Sequence, residues 1–164
     1  MSNYQSYLII HNVSKDSNFG YLVRTANAMG SQIIMVGRKN FGKGGAVGQT
    51  RNTPVQHFLA LQDAAAHVKK LGCDIVGIEI MPESNPIGSL PFTRSTAFMF
   101  GNEGEGLVKS QRKLCDSFVY VPQFGTAVSM NVNAATAIVL HRFAEWAGFQ
   151  ETARDGYQFR SGSR

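Results

Sequence analysis

The sequence predicts an α/β domain in which a mostly parallel sheet is flanked by helices. Three observations carry that expectation. Short β-like apolar runs alternate with segments of helical periodicity, the pattern of strand–helix–strand units that pair in parallel. Apolar residues make up 43% of the chain and charged residues only 16%, enough to bury a core on both faces of a sheet. The length of 164 residues suits one domain rather than two. The body is expected over residues 1–150, with 151–164 as a short C-terminal tail.

Taken in order, Tyr7-Leu8-Ile9-Ile10 reads as a buried strand. A helix follows from Ser17 to Ala28, with Phe19, Leu22, Val23 and Ala26 at helical spacing and Gly30 as its stop. Gln32 to Val36 is a second buried strand, ended by Gly37. Asp63 is expected to cap a helix from Ala64 to Leu71, closed by Lys69, Lys70 and Gly72. Asp74 to Ile80, Ala97 to Phe100 and Phe118 to Val121 read as three further strands. The last helix runs from Asn131 to Trp146, with Val132, Ala135, Val139, Phe143 and Trp146 on one face and Gly148 at its end. In the tail, Tyr157 and Phe159 are candidates to pack back onto the body.

Composition narrows the function classes. No apolar run reaches the length of a membrane span, and Met1 to Tyr7 is polar, unlike a secretory signal. An intracellular, cytoplasmic setting is the default expectation, with the nucleus or an organelle as alternatives. Cys73 and Cys115 stand in unrelated contexts, and His11, His57, His67 and His141 share no ligand spacing, so no metal site is expected. The formal charge of +5 favours a polyanionic partner.

In parallel sheets, ligands bind outside the carboxyl ends of the strands, so the segments after each strand carry the candidates. Gly42 to Gly48 is glycine-rich but misses both the dinucleotide fingerprint and the Walker pattern. The surrounding stretch holds Arg38, Lys39, Lys43 and Arg51 with no carboxylate between them. It reads either as a solvated basic loop or as a contact to a nucleic-acid backbone. Phe100-Gly101-Asn102-Glu103-Gly104-Glu105-Gly106-Leu107 brings a strand into a three-glycine turn with two carboxylates, Leu107 beginning a helix. Such a density of glycine points to tight backbone or a closely approaching ligand. The plainer reading of Glu105, and less so of Glu103, is helix capping. Val121-Pro122 opens an irregular loop ending at Ser129-Met130-Asn131. Ser and Asn are ordinary caps, and without a nearby histidine or a nucleophile elbow the segment does not point to a serine hydrolase. On the first helix, Asn18 and Arg24 are separated by about 600° of rotation and do not share a face. Arg24 has no carboxylate at i+3 or i+4 (Asn27 and Ala28), which points to a ligand anion, the alternative being a simple surface arginine.

Together these segments resemble the SpoU (TrmH-like) branch of the SPOUT superfamily of S-adenosylmethionine-dependent RNA 2′-O-ribose methyltransferases. Asn18-Phe19-Gly20 through Arg24-Thr25-Ala26 matches the first family motif, Gly101 through Leu107 the second, and Val121-Pro122 through Ser129-Met130-Asn131-Val132 the third. Met130 stands where leucine is commoner, a conservative departure. The ordered set, covering Tyr7 to Phe149, is far more specific than any one motif.

The resemblance implies an α/β fold with a C-terminal deep trefoil knot, a homodimer, and S-adenosylmethionine as cofactor. It places Arg24, Asn18, Glu103, Ser129 and Asn131 in the catalytic machinery. It draws the cofactor site from Ile78, Glu79, Ile80, Phe100, Gly101, Asn102, Gly106, Val121, Pro122, Ser129 and Met130. RNA contacts are expected from Lys15, Arg24, Arg38, Lys39, Lys43 and Arg51. The favoured substrate is tRNA. Ribosomal RNA, or a catalytically silent RNA-binding protein that keeps the fold, are the alternatives.

Overall fold

A computed structural model describes residues 2–11, 16–37 and 54–159. Among them the element order is β1 (Ser6–Ile10), α1 (Asp16–Ala28), β2 (Gln32–Val36), β3 (Val55–Phe58), α2 (Leu61–Lys70), β4 (Asp74–Ile78), β5 (Asn85–Pro86), β6 (Thr96–Phe100), α3 (Lys109–Arg112), β7 (Ser117–Tyr120), α4 (Val132–Ala147), and a terminal pair β8 (Arg154–Asp155) and β9 (Gln158–Phe159). The main sheet has seven strands in the order β3-β2-β1-β6-β4-β7-β5, and each neighbouring pair is parallel.

Side chains of a strand alternate between the faces of the sheet, and the two cores follow that alternation. Leu8 and Ile10, Ile33 and Met35, and Phe98 and Phe100 face α1 and α4, which contribute Phe19, Leu22, Val23, Ala26, Val139, Leu140 and Phe143. Tyr7 and Ile9, Ile34 and Val36, and Ala97 and Met99 face α2 with its Leu61, Ala64, Ala65 and Val68. The central strands β1 and β6 are buried along their whole length, which explains their nearly continuous apolar sequence. Edge-on contacts of Phe143 with Phe92 (5.1 Å between ring centres) and with Phe98 (5.5 Å) seat α4 on the sheet. Such aromatic pairs contribute about 0.5–1.5 kcal/mol each beyond their buried area.

Several boundaries differ from the expectations. The α2 helix begins at Leu61, with Ala60 rather than Asp63 at its cap position. Leu61 is buried, and that burial carries the helix a turn further than its polar residues indicate, leaving Asp63 in the first turn. The β4 ladder stops at Ile78 rather than Ile80, since the Ile80 N–H turns to the Glu79 carboxylate at 3.1 Å. Leu107 does not begin a helix: it is fully buried in the core under α2, and the single turn α3 starts at Lys109. The edge strands β3 and β5 carry little alternation and were not expected from the sequence. Tyr157 and Phe159 do not pack back onto the body; they are exposed on the β8–β9 hairpin. No helix among the described residues is long and apolar enough to cross a membrane.

Candidate functional site

The register places the ends of β6, β4 and β7 side by side, with Ile78 opposite both Phe100 and Val119. The chain leaves these ends through three segments: Glu79 onward, Gly101 to Val108, and Val121 to Asn131. Three segments separate in the sequence thus begin side by side at one end of the sheet.

The glycine turn after β6 closes on itself. Asn102 and Gly106 exchange backbone hydrogen bonds of 3.1 and 2.8 Å, and the Asn102 Oδ1 accepts the Gly104 N–H at 2.8 Å. A Cβ at Gly101 would run into the backbone of Gly106 and Leu107, which cannot swing aside. Gly106 has a φ of +66°, and the Glu79 carboxylate occupies the space its Cβ would need. That carboxylate acts as a strut. Its Oε2 accepts the Leu107 N–H at 2.7 Å while its Oε1 accepts the Ile80 N–H. The turn is fixed by Asn102 and Glu79. Glu103 and Glu105 are exposed at its tip, and neither caps α3, whose cap position is Val108.

In the third segment, Gln123 Nε2 donates to the Ala127 carbonyl at 2.8 Å and closes a loop whose Phe124 is 99% exposed. Ser129 is exposed and Met130 half-buried. Asn131 is the cap of α4, its Oδ1 accepting the Asn133 N–H at 2.8 Å, as its plainer reading anticipated.

Asn18 lies buried in the first turn of α1, where its Oδ1 accepts from Asn133 Nδ2 at 3.1 Å. Arg24 lies on a different, exposed side of the same helix and has no hydrogen bond or ion pair among the described residues. The structure therefore joins Asn18 to Asn131 through Asn133, a residue that the motifs did not single out. A polar residue two positions after a helix cap was the only sequence signal for it. Arg24 makes no hydrogen bond to Glu103, Ser129 or Asn131 in this chain. Lys15, Arg38, Lys39, Lys43 and Arg51 lie outside the described residues.

At the end of β1, His11 Nδ1 lies 3.3 Å from Gln111 Nε2. Since Gln111 Oε1 accepts the Val108 N–H, its Nε2 is the donor and His11 Nδ1 the acceptor. Burial pushes the His11 pKa down, which keeps the ring neutral. Burial also raises the Cys115 thiol to about 12, with Asp116 adding to the shift and Lys69 opposing it. A thiol so protonated is no nucleophile at neutral pH. Among the described residues no group of His, Cys, Asp or Glu is arranged to hold a metal ion.

Residues 5–141 match the SpoU rRNA Methylase family. The 23S rRNA (guanosine-2′-O-)-methyltransferase RlmB of Neisseria meningitidis is 31% identical over 139 residues, which cover 81% of this chain and 55% of that protein. The tRNA (guanosine(18)-2′-O)-methyltransferase of Escherichia coli is 26% identical over 133 residues, covering 79% of this chain and 58% of that one. The chain thus spans a little over half the length of these curated relatives. Among solved structures, the AdoMet-bound rRNA methyltransferase of Sinorhizobium meliloti superposes with a TM-score of 0.77 at 23% identity, over 89% of this chain and 57% of that one. The A. aeolicus TrmH/SpoU tRNA modifying enzyme superposes with a TM-score of 0.73 at 24% identity, over 88% and 75%.

Proposed function

Because the chain belongs to the SpoU rRNA methylase family, we propose that it transfers a methyl group from S-adenosylmethionine to a ribose 2′-hydroxyl of RNA, with tRNA as the favoured substrate. The observation that carries this reading is the row of three turns at the ends of β6, β4 and β7, braced by Glu79. The donor set suits an adenosine-bearing cofactor. It offers the backbone groups of a glycine turn, half-buried apolar walls from Val121, Pro122 and Met130, and the hydroxyl of Ser129.

When bound, S-adenosylmethionine supplies a methyl group already activated on a sulfonium, so no covalent protein intermediate is required. The protein's task is to bring the 2′-oxygen into line, exclude water and ease loss of the hydroxyl proton. A guanidinium with a pKa above about 12 is a poor base, so Arg24 serves as a clamp. It grips the adjoining phosphate and stabilises charge developing on the 2′-oxygen, and the phosphate or a water takes the proton. Among the described residues the guanidinium has no hydrogen-bond or ion-pair partner, which suits it to that anion. Asn18 and Asn131 orient the ribose, Glu103 faces the RNA side of the turn, and Ser129 holds the loop against the cofactor. Lys15, Arg38, Lys39, Lys43 and Arg51 grip the RNA backbone.

The reading extends to the assembly. Residues 1–150 form the methyltransferase unit, its C-terminal segment threaded as a trefoil knot, and residues 151–164 a tail. Two copies pair through α1 and α4, whose exposed Tyr21 and Ile138 give those helices apolar surface.

The test is transfer of a labelled methyl group by the purified protein to unmodified tRNA and, separately, rRNA, followed by nucleoside mass spectrometry. A 2′-O-methylnucleoside in one of them is the expected product. Binding of RNA with neither cofactor binding nor product would replace the enzyme with a silent RNA-binding protein. Mapping ribose methylation in RNA from cells lacking the protein then identifies the position.

A further inference from the structure

We propose that Asn133 is a positioning residue that holds the Asn18 carboxamide and couples it to the turn ending at Asn131. The proposal rests on the methyltransferase reading and concerns how that site is kept in register.

Asn18 and Asn133 stand in the first turns of α1 and α4, 115 residues apart in the chain. The Asn133 Nδ2 donates to Asn18 Oδ1 at 3.1 Å, while the backbone N–H of Asn133 donates to Asn131 Oδ1 at 2.8 Å. One residue therefore bonds to both asparagines that the motifs assign to the reaction. A carboxamide has an acceptor end and a donor end. If the Asn18 amide alone rotated by half a turn, its own NH2 would meet the NH2 of Asn133, so the bond ties the orientation of each carboxamide to that of the other. With Oδ1 engaged, the free end of Asn18 is its Nδ2, which has no other hydrogen bond among the described residues. In this arrangement that leaves a donor for a ribose or phosphate oxygen, on the helix that also carries Arg24.

A second observation separates this role from ordinary packing. Asn133 Oδ1 and, one turn further along α4, Thr136 Oγ1 are both buried with no hydrogen-bond partner among the described residues. A buried polar oxygen without a partner carries a desolvation cost. An apolar side chain at 133 would therefore serve a purely structural α1–α4 seam better. The asparagine makes physical sense through the direction in which its NH2 points.

The experiment compares Asn133→Ala, Asn133→Asp and Asn18→Ala, singly and in combination, with the full chain. Wild-type turnover comes first: its absence would strike the methyltransferase reading itself. With turnover established, both Asn133 variants should lose about tenfold in kcat, the scale of one directed hydrogen bond. KM for RNA, cofactor affinity by calorimetry and the thermal midpoint should stay near wild type. In the Asn18→Ala background, removing Asn133 should cost no further rate, because it acts through Asn18. Independently of activity, the side-chain amide resonances of Asn18 should shift in Asn133→Asp. This variant keeps the shape and suits a helix N-terminus, so it decides the matter if Asn133→Ala fails to fold. Wild-type kcat in Asn133→Asp, or losses that multiply in the double variant, would overturn the proposal.

Discussion

The Leu107 N–H donates to the Glu79 Oε2 at 2.7 Å, and this bond ties the turn after β6 to the end of β4 across 28 residues of chain. With the Ile80 N–H on the other oxygen, a single carboxylate bridges two of the three segments of the site. Removing it leaves two backbone donors without their acceptor and opens the space over Gly106. For Glu79→Ala we expect a loss of about 2–3 kcal/mol in stability, the scale of hydrogen bonds to a charged group. Cofactor affinity should fall by tenfold or more. Urea unfolding and calorimetry measure the two effects, and unchanged cofactor affinity would show that the strut is not part of the binding site.

Gly101→Ala tests the closure of the same turn from the other side. The added methyl meets the backbone of Gly106 and Leu107, so the turn must open to admit it. Overpacking of this kind costs about 1–3 kcal/mol. A lowered melting temperature together with weakened cofactor binding is the expected pair of results.

Arg24→Lys keeps the positive charge and removes the planar fork. Cofactor affinity should be unchanged, and turnover should fall by about a hundredfold or more, as for loss of a donor to a developing oxyanion. Full methylation rate in this variant would refute the clamp.

The depressed pKa of His11 gives a stability that depends on pH. Burial, the cause of the shift, disfavours the charged ring, so in acid the unfolded chain binds a proton more readily than the folded one. The stability is complete above the unfolded value of about 6.5 and is lost as pH falls through the lower folded value. Urea midpoints measured from pH 8 to pH 5 should decline in the wild type and decline less in His11→Gln. Parallel profiles would assign the decline to other groups.

Cys115, held near 12, and Cys73, raised by burial and by Asp74, should both resist alkylation in the folded protein. Iodoacetamide at pH 8 is expected to label them in urea and to leave them untouched in buffer. Rapid labelling without denaturant would mean that the native chain opens at these sites.

Much of the local structure at the candidate site was legible in the sequence because its parts are local signals. The glycine density from Gly101 to Gly106 reports a tight turn, Asn131 before an apolar helix reports a cap, and an arginine without a helical carboxylate neighbour reports an unpaired charge. The linking contacts were not legible. Nothing around Glu79 indicates that its oxygens face Leu107, and nothing around Asn133 points to Asn18. The edge strand β3, Val-Gln-His-Phe, carries too little alternation to be read without β2 beside it.

By itself, then, the sequence determined the strands β1, β2, β4, β6 and β7 and the helices α1, α2 and α4, since those choices depend on apolar periodicity and caps within a few residues. The order β3-β2-β1-β6-β4-β7-β5 was decided only in three dimensions, where β1 takes β6 as its second neighbour ninety residues away. Strand order depends on which apolar faces can be covered together by α1, α4 and α2, and no local pattern encodes that. Because the sheet order sets which strand ends adjoin, it also brings the Glu79 carboxylate to the glycine turn after β6.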